Sequence, residues 1–367
     1  MARAHNFSAG PALLPLSVIE EIQQTLPELS HTGQGLMEIS HRSAAFEAIR
    51  DSAEQRLRAL LNVPDDYAVL FLQGGASMQF YQTGLNLLGP DDKADIIMTG
   101  RWSDKAIVEM RRCGDIAEAW APDDGVYNRV PSDDQVQVRE DAVYVHYTSN
   151  NTVHGTQFHQ LPEAAGKPLV ADMSSDICSR PIDVRRHAVI YAGAQKNLGP
   201  SGVTAVIVSP WALERASHAD NTRSGGLPSM LDYRLMAKKD SMFNTPNTFG
   251  IFALDRVLAW VESRGGVDAM AEQNLAKAGL IYNELEQSDF WRIYAQKGSR
   301  SIMNPTWFTP TTDTDRLFVS QAAEAGLKAL KGHRSVGGLR ASIYNACPIE
   351  SVEVLVDFMK DFEKRHG

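Results

Sequence analysis

Three features could do chemistry here: a lysine, an aspartate and a glycine pair, each close to the end of an apolar run. PLVADM ends near Asp172. HAVIYAGAQKNLGPSG places Lys196 between Gln195 and Asn197, and TAVIVSP follows as another apolar run. Short β-branched runs bounded by Gly and Pro read as buried strands of an α/β sheet, and polar residues at strand ends share the crevice where such sheets bind ligands. A lysine amine can condense with a carbonyl, and a carboxylate can keep a pyridine nitrogen protonated. Those are the two protein groups that a pyridoxal phosphate enzyme requires. Both residue types are usually exposed, so the pair gains weight only from its surroundings.

The surroundings supply it. The strand Tyr67 to Leu72 runs into QGGASMQF, where Gly74 and Gly75 can take backbone angles closed to other residues. Ala76 and Ser77 then sit at a helix start, whose free N–H groups and hydroxyl suit a phosphate. Neither a P-loop nor a GxGxxG fingerprint is present. A strand over 94–99 leads to GRW, so Trp102 offers a flat face at a strand-to-helix junction. The strand over 142–147 ends in TSNNT, with Ser149, Asn150, Asn151 and Thr152 as short hydrogen-bonding side chains. Basic residues stand near loops at His41 and Arg42, and at His333, Arg334 and Arg340 around Gly337 and Gly338. A guanidinium fork grips carboxylate or phosphate, so these are candidate anion ligands.

The elements that must hold these groups imply an α/β fold. A large domain over residues 16–266 carries a mainly parallel sheet, and residues 267–367 with 1–15 form a small α+β domain. Helices are expected over 16–25, after an N-cap at Ser43, and from Thr248 to the glycines at 265–266. PWALERA reads as a short helix, and 217–243 as a long loop. FWRIYA, SIMNPTWFTP and GGLRASIY read as strands, and FVSQAAEAGLKAL as a helix. The net charge of −9 over 367 residues argues against nucleic-acid binding as the main function. Three cysteines without ligand spacing predict neither metal nor disulfide framework. No apolar run reaches membrane-spanning length, and the N-terminus lacks a signal-peptide core, so a cytoplasmic protein is expected.

The series FSAGPALLP, HR, GGAS, RW, DMSSD, AGAQKNLGPSG, FNTP and HRSVGGLRAS resembles the phosphoserine aminotransferase family, in the class V branch of fold-type I pyridoxal phosphate aminotransferases. The resemblance spans nearly the whole chain and implies pyridoxal 5′-phosphate as cofactor. Lys196 would carry it covalently and Asp172 would pair with its ring nitrogen. Ala76, Ser77 and Gln195 would bind its phosphate, Trp102 would stack on its ring, and Thr152 would hydrogen-bond near it. Asn244 and Thr245 would reach the phosphate of the other subunit of a homodimer with shared sites. Arg340 would hold the substrate α-carboxylate. His41, Arg42, His333 and Arg334 would bind the substrate phosphate, some from the partner chain. The implied reaction moves an amino group between L-glutamate and 3-phosphohydroxypyruvate, and the family is also associated with 3-hydroxy-2-oxo-4-phosphooxybutanoate in vitamin B6 synthesis. One departure is Asn247 in TPNTFG, where a second proline is common. Another class V enzyme is the nearest alternative, and a cysteine desulfurase among them would need Cys347 as a mobile nucleophile.

Overall fold

The computed structural model describes residues 3–367. β1 (Ala68–Leu72), β2 (Lys93–Ile97), β3 (Asp115–Trp120), β4 (Ala142–Thr148), β5 (Leu169–Asp172), β6 (His187–Gly193) and β7 (Thr204–Val208) pair in the order β1-β7-β6-β5-β4-β2-β3. β7 is antiparallel to both neighbours, and the other pairs are parallel. Alternate side chains enter two cores. Val145, Tyr147, Ala171, Ile190 and Ala192 join one, whereas Tyr144, Val170, Val189 and Tyr191 join the other. A sheet covered on both faces explains why these strands read as continuous apolar runs. Each large side chain buried there contributes about 1.5–3 kcal/mol.

Helices α1 (Leu16–Thr25), α2 (Ala44–Leu61), α3 (Gly75–Leu87), α4 (Arg101–Met110), α5 (Pro210–Thr222), α6 (Tyr233–Lys238) and α7 (Thr248–Ser263) belong to this unit. Ser43 Oγ caps α2 by accepting from Phe46 N at 3.3 Å. α2 stops when Asn62 turns left-handed. Asn247, the residue that departs from the family pattern, caps α7 by accepting from Gly250 N at 2.9 Å. α8 (Gly266–Leu285) passes from one core to another: Val267 and Met270 pack with the sheet, Ile281 and Leu285 with Trp307 and Phe318. That last core also holds α9 (Thr312–Glu324), α10 (Ile349–His366) and Phe7 from the N-terminal segment.

Several expected elements have other bounds. α5 continues to Thr222 because Ala212, Ala216 and Ala219 bury a small-residue face. The segment 217–243 is therefore no simple loop: the end of α5 is followed by a tight turn at Ser229–Leu231 and then by α6. Tyr233 O–H donates to Gln79 Oε1 at 2.6 Å, and its backbone N–H to Asn86 Oδ1 at 3.0 Å, which ties this segment to α3. The C-terminal strands are short, Arg292–Ile293, Thr306–Phe308 and Leu339–Arg340 in one antiparallel sheet. Pro305 lacks an N–H, and Asn304 spends its side chain on Ser342 and Tyr344, so pairing begins only at Thr306. α9 begins at Thr312, earlier than its apolar period suggests, because Thr311 caps it. Among the described residues no helix is long and apolar enough to cross a membrane, and no cluster could hold a metal ion.

Candidate active site

β5 delivers Asp172 to the carboxyl edge of the sheet, paired in register with Thr148 of β4 and Tyr191 of β6. Its carboxylate is buried, and Oδ1 accepts from Ser174 N at 2.9 Å and Ser174 Oγ at 2.6 Å. No hydrogen bond among the described residues engages Oδ2. Burial pushes this carboxyl above the usual range, against the opposing pull of Ser174 and Lys196.

Lys196 lies in the turn between β6 and β7, at the same edge. Its Nζ donates to Thr152 Oγ1 at 2.6 Å and stands 5.4 Å from the centre of the Trp102 ring. Burial lowers the ammonium to about 8, with Asp172 resisting and Arg340 reinforcing the shift. A lysine so placed has a neutral fraction near physiological pH, which a nucleophile or base needs. The N-terminal loop closes over it: a methyl on Gly10 would fall 3.6 Å from Lys196 Cγ, and Ala12 N donates to Gln195 O at 2.8 Å.

The glycine turn behaves as its sequence predicts. Gly74 and Gly75 have φ of 90° and 65°, and α3 starts at Gly75, so Ala76 and Ser77 fall in its first turn. Gly100 lets α4 approach closely, since a Cβ there would sit 2.6 Å from Asn151 Oδ1. This places Trp102 on the wall of the site, its indole N–H buried without a partner.

The polar cluster after β4 divides its labour. Thr152 serves Lys196, whereas Ser149 Oγ donates to Asp176 Oδ2 at 2.6 Å and Asn150 Nδ2 to Asn304 Oδ1 at 2.8 Å. These last bonds form a buried network from the sheet to the C-terminal unit. Ser174 and Asp176 are supporting residues that the sequence reading passed over. The spacing Asp-x-Ser-x-Asp was their signal, because a serine two residues after an aspartate readily hydrogen-bonds to it.

Arg340 reaches the site from the C-terminal unit, donating to Thr152 O at 2.9 Å with its Nε buried and unpartnered. His333 is pushed below the usual imidazole value by burial, then by Arg340, Arg334, Arg101 and Lys105. Arg101 and Lys105 were not anticipated, although their i, i+4 spacing directly after Gly100 could have revealed them. His41 and Arg42 stand on the turn before α2, and neither side chain has a hydrogen bond or ion pair among the described residues. Asn244 lines, with Gln73 and Gly74, a cleft of about 310 Å³, and Gln73 Nε2 donates to Thr245 O at 3.4 Å.

A model of the family described as "Aminotransferase class-V" matches residues 4–355. The chain belongs to the class-V aminotransferases. It is 49% identical over 366 residues to a phosphoserine aminotransferase of Geobacillus kaustophilus, covering 100% of this chain and 99% of that one. The solved phosphoserine aminotransferase of Bacillus circulans subsp. alkalophilus superposes with a TM-score of 0.94 at 45% identity, covering 100% and 99%. A pyridoxal phosphate-bound phosphoserine aminotransferase of Trichomonas vaginalis gives 0.92 at 37%, covering 98% and 100%.

This class-V aminotransferase has the fold-type I architecture, and its cofactor is pyridoxal 5′-phosphate. The residues fit that group. Asp172 keeps Oδ2 free of protein donors, the Trp102 face is accessible to Lys196, and the first turn of α3 is open to a phosphate. A desulfurase role for Cys347 does not fit: the thiol is buried and burial pushes it up to about 11.

Proposed function

We propose that the chain transfers an amino group reversibly between L-glutamate and 3-phosphohydroxypyruvate, giving O-phospho-L-serine and 2-oxoglutarate. One observation carries this reading. Lys196 and Asp172 share a sheet edge onto which Arg340 reaches from the C-terminal unit, its guanidinium bonded to Thr152 O and in no ion pair among the described residues. The relatives named phosphoserine aminotransferase support the substrate choice.

Asp172, Ser77, Ala76, Gln195, Trp102 and Thr152 would hold the cofactor, which when bound supplies a protonated ring as an electron sink. Lys196 Nζ takes the proton at the substrate Cα, and its held position makes that transfer effectively intramolecular. Thr152 orients the amine, and Asp172 would hold the cofactor's ring nitrogen in its protonated form. Arg340 would bind the α-carboxylate and so fix the orientation of Cα before Lys196. The distal cations accept a phosphoryl group in one half-reaction and the γ-carboxylate of glutamate in the other. 3-Hydroxy-2-oxo-4-phosphooxybutanoate, one carbon longer with the same terminal group, is a further substrate on this reading.

The proposal includes a cytoplasmic homodimer whose sites are shared. His41 and Arg42, whose side chains are unpaired among the described residues, would complete the phosphate pocket of the partner, and Asn244 and Thr245 would reach the partner's cofactor phosphate. Mixing Lys196→Ala with Arg42→Ala subunits should then restore about a quarter of wild-type turnover, since half of the dimers keep one intact site. No recovery would place Arg42 in its own chain's site. The function is tested by following single half-reactions with a panel of amino donors. Phosphoserine and glutamate should react far faster than alanine, cysteine or aspartate, and a faster reaction with alanine would overturn the assignment.

A further inference from the structure

The reaction proposed above leaves one buried lysine unused. Lys277 of α8 is enclosed, yet it has no ion pair among the described residues. Its ammonium donates instead to three backbone carbonyls, Ile343 O at 2.9 Å, Tyr344 O at 2.7 Å and Cys347 O at 3.2 Å. An ammonium carries three N–H groups, so none is left over. Burial lowers this one to about 8. A buried cation is costly to keep, and what it holds is a segment on which the site depends.

Between Arg340 and Ile349 the chain belongs to no strand or helix. Carbonyls buried there have no ladder to join, and Lys277 satisfies them. Tyr344 O–H donates to Ala9 O at 2.8 Å, beside the Gly10 that closes over Lys196. Asn345 N donates at 3.1 Å to Oδ1 of Asn197, the residue directly after Lys196. Asn345 is itself clamped: its Oδ1 accepts from Asn274 Nδ2 at 2.8 Å, and its Nδ2 donates to Cys178 O at 2.8 Å. Asn274 and Lys277 lie one turn apart on α8, so a single helix face fixes both backbone and side chain of this turn. Asn197 completes the path, donating from Nδ2 to Ser175 O at 3.2 Å in the run after Asp172.

Resting on the role proposed above for Lys196, we propose that Lys277 and Asn274 are positioning residues which, through Asn345 and Asn197, fix the loop that aims Lys196 Nζ at the substrate Cα. They act through the turn and move no proton themselves. Arg340 lies before the held carbonyls and keeps its own strand pairing with Thr306, so substrate binding is largely independent of the path.

The test compares Lys277→Met with Val352→Ala, which loosens the same core from α10 without touching the path. In the loaded enzyme, the maximal single-turnover rate with glutamate should fall by about 10- to 100-fold in Lys277→Met, since an ångström of misplacement costs up to about 10². The half-saturating glutamate concentration should stay within about threefold of wild type. In the cofactor-free chain, the amides of Leu198 and Gly199, which donate to Ala194 O at 3.0 and 2.9 Å, should exchange at least about tenfold faster while those of β6 keep their rates. Val352→Ala should show neither effect. Should Lys277→Met fail to fold, Asn274→Ala is read by the same two measurements. A rate no lower than that of Val352→Ala, a loss confined to half-saturation, or unchanged exchange at Leu198 and Gly199 would overturn the inference. A Lys196→Ala chain that still turns over would instead remove the role on which it rests.

Discussion

Lys196→Ala is expected to lower turnover by about 10⁴-fold or more, since a positioned general base alone supplies about 10²–10⁴ and the covalent anchor is lost with it. The geometry leaves no substitute. Thr152 Oγ1, the Nζ partner at 2.6 Å, has no basic lone pair of use at neutral pH, and Arg340 is a permanent cation. Lys105 is the other amine beside Trp102, but it is exposed at the mouth, whereas burial has brought Lys196 to about 8. Two measurements check this. Borohydride reduction of wild-type holoenzyme should label the peptide containing Lys196 and leave the variant unlabelled. Single-turnover reaction with phosphoserine should be lost in parallel. A variant that keeps a rate within tenfold of wild type would move the base to another residue.

How far the chain could be read before its structure depended on what each residue faces. Asp172 and Lys196 were legible because parallel strands put their polar ends at one edge, and a period of apolar runs reveals those ends. The cap at Ser43 was legible because capping is local. The end of α5 was not, since a helix face of Ala212, Ala216 and Ala219 carries little hydrophobic contrast. Nor was α6, whose Tyr233 and Met236 are buried only because Gln79 and Asn86 of α3 meet that segment.

The candidate anion ligands were legible by residue type and only partly by place. Arg340 and His333 converge on the site within the chain, from a segment distant in sequence. His41 and Arg42, whose side chains have no partner among the described residues, carry the proposal of a second chain that completes the site. A single sequence carries the residues for such a site without showing which copy uses them.

Asp172→Asn should separate activity from stability in opposite directions. Asparagine keeps the shape and an acceptor for Ser174 N and Oγ, now at 2.9 and 2.6 Å, but removes the charge. Turnover should fall by about 10²–10³-fold, the usual loss when one preorganised electrostatic partner is removed. In the cofactor-free chain, however, the carboxylate is buried and burial is the largest influence on it, so its charge is a burden until a cation arrives. Its folded-state value lies above the unfolded one, so the native chain binds the extra proton between them. Stability of the cofactor-free wild type should therefore decline as pH rises from the ordinary carboxylate value through the raised one. The variant should lack that decline and melt no lower than wild type near neutral pH. Lys196, deprived of its strongest attraction, should titrate below 8. Melting curves of cofactor-free protein across pH, set beside kcat of the loaded enzyme, read both effects. A variant less stable than wild type and equally impaired at all pH values would make Asp172 a structural residue whose charge the reaction does not use.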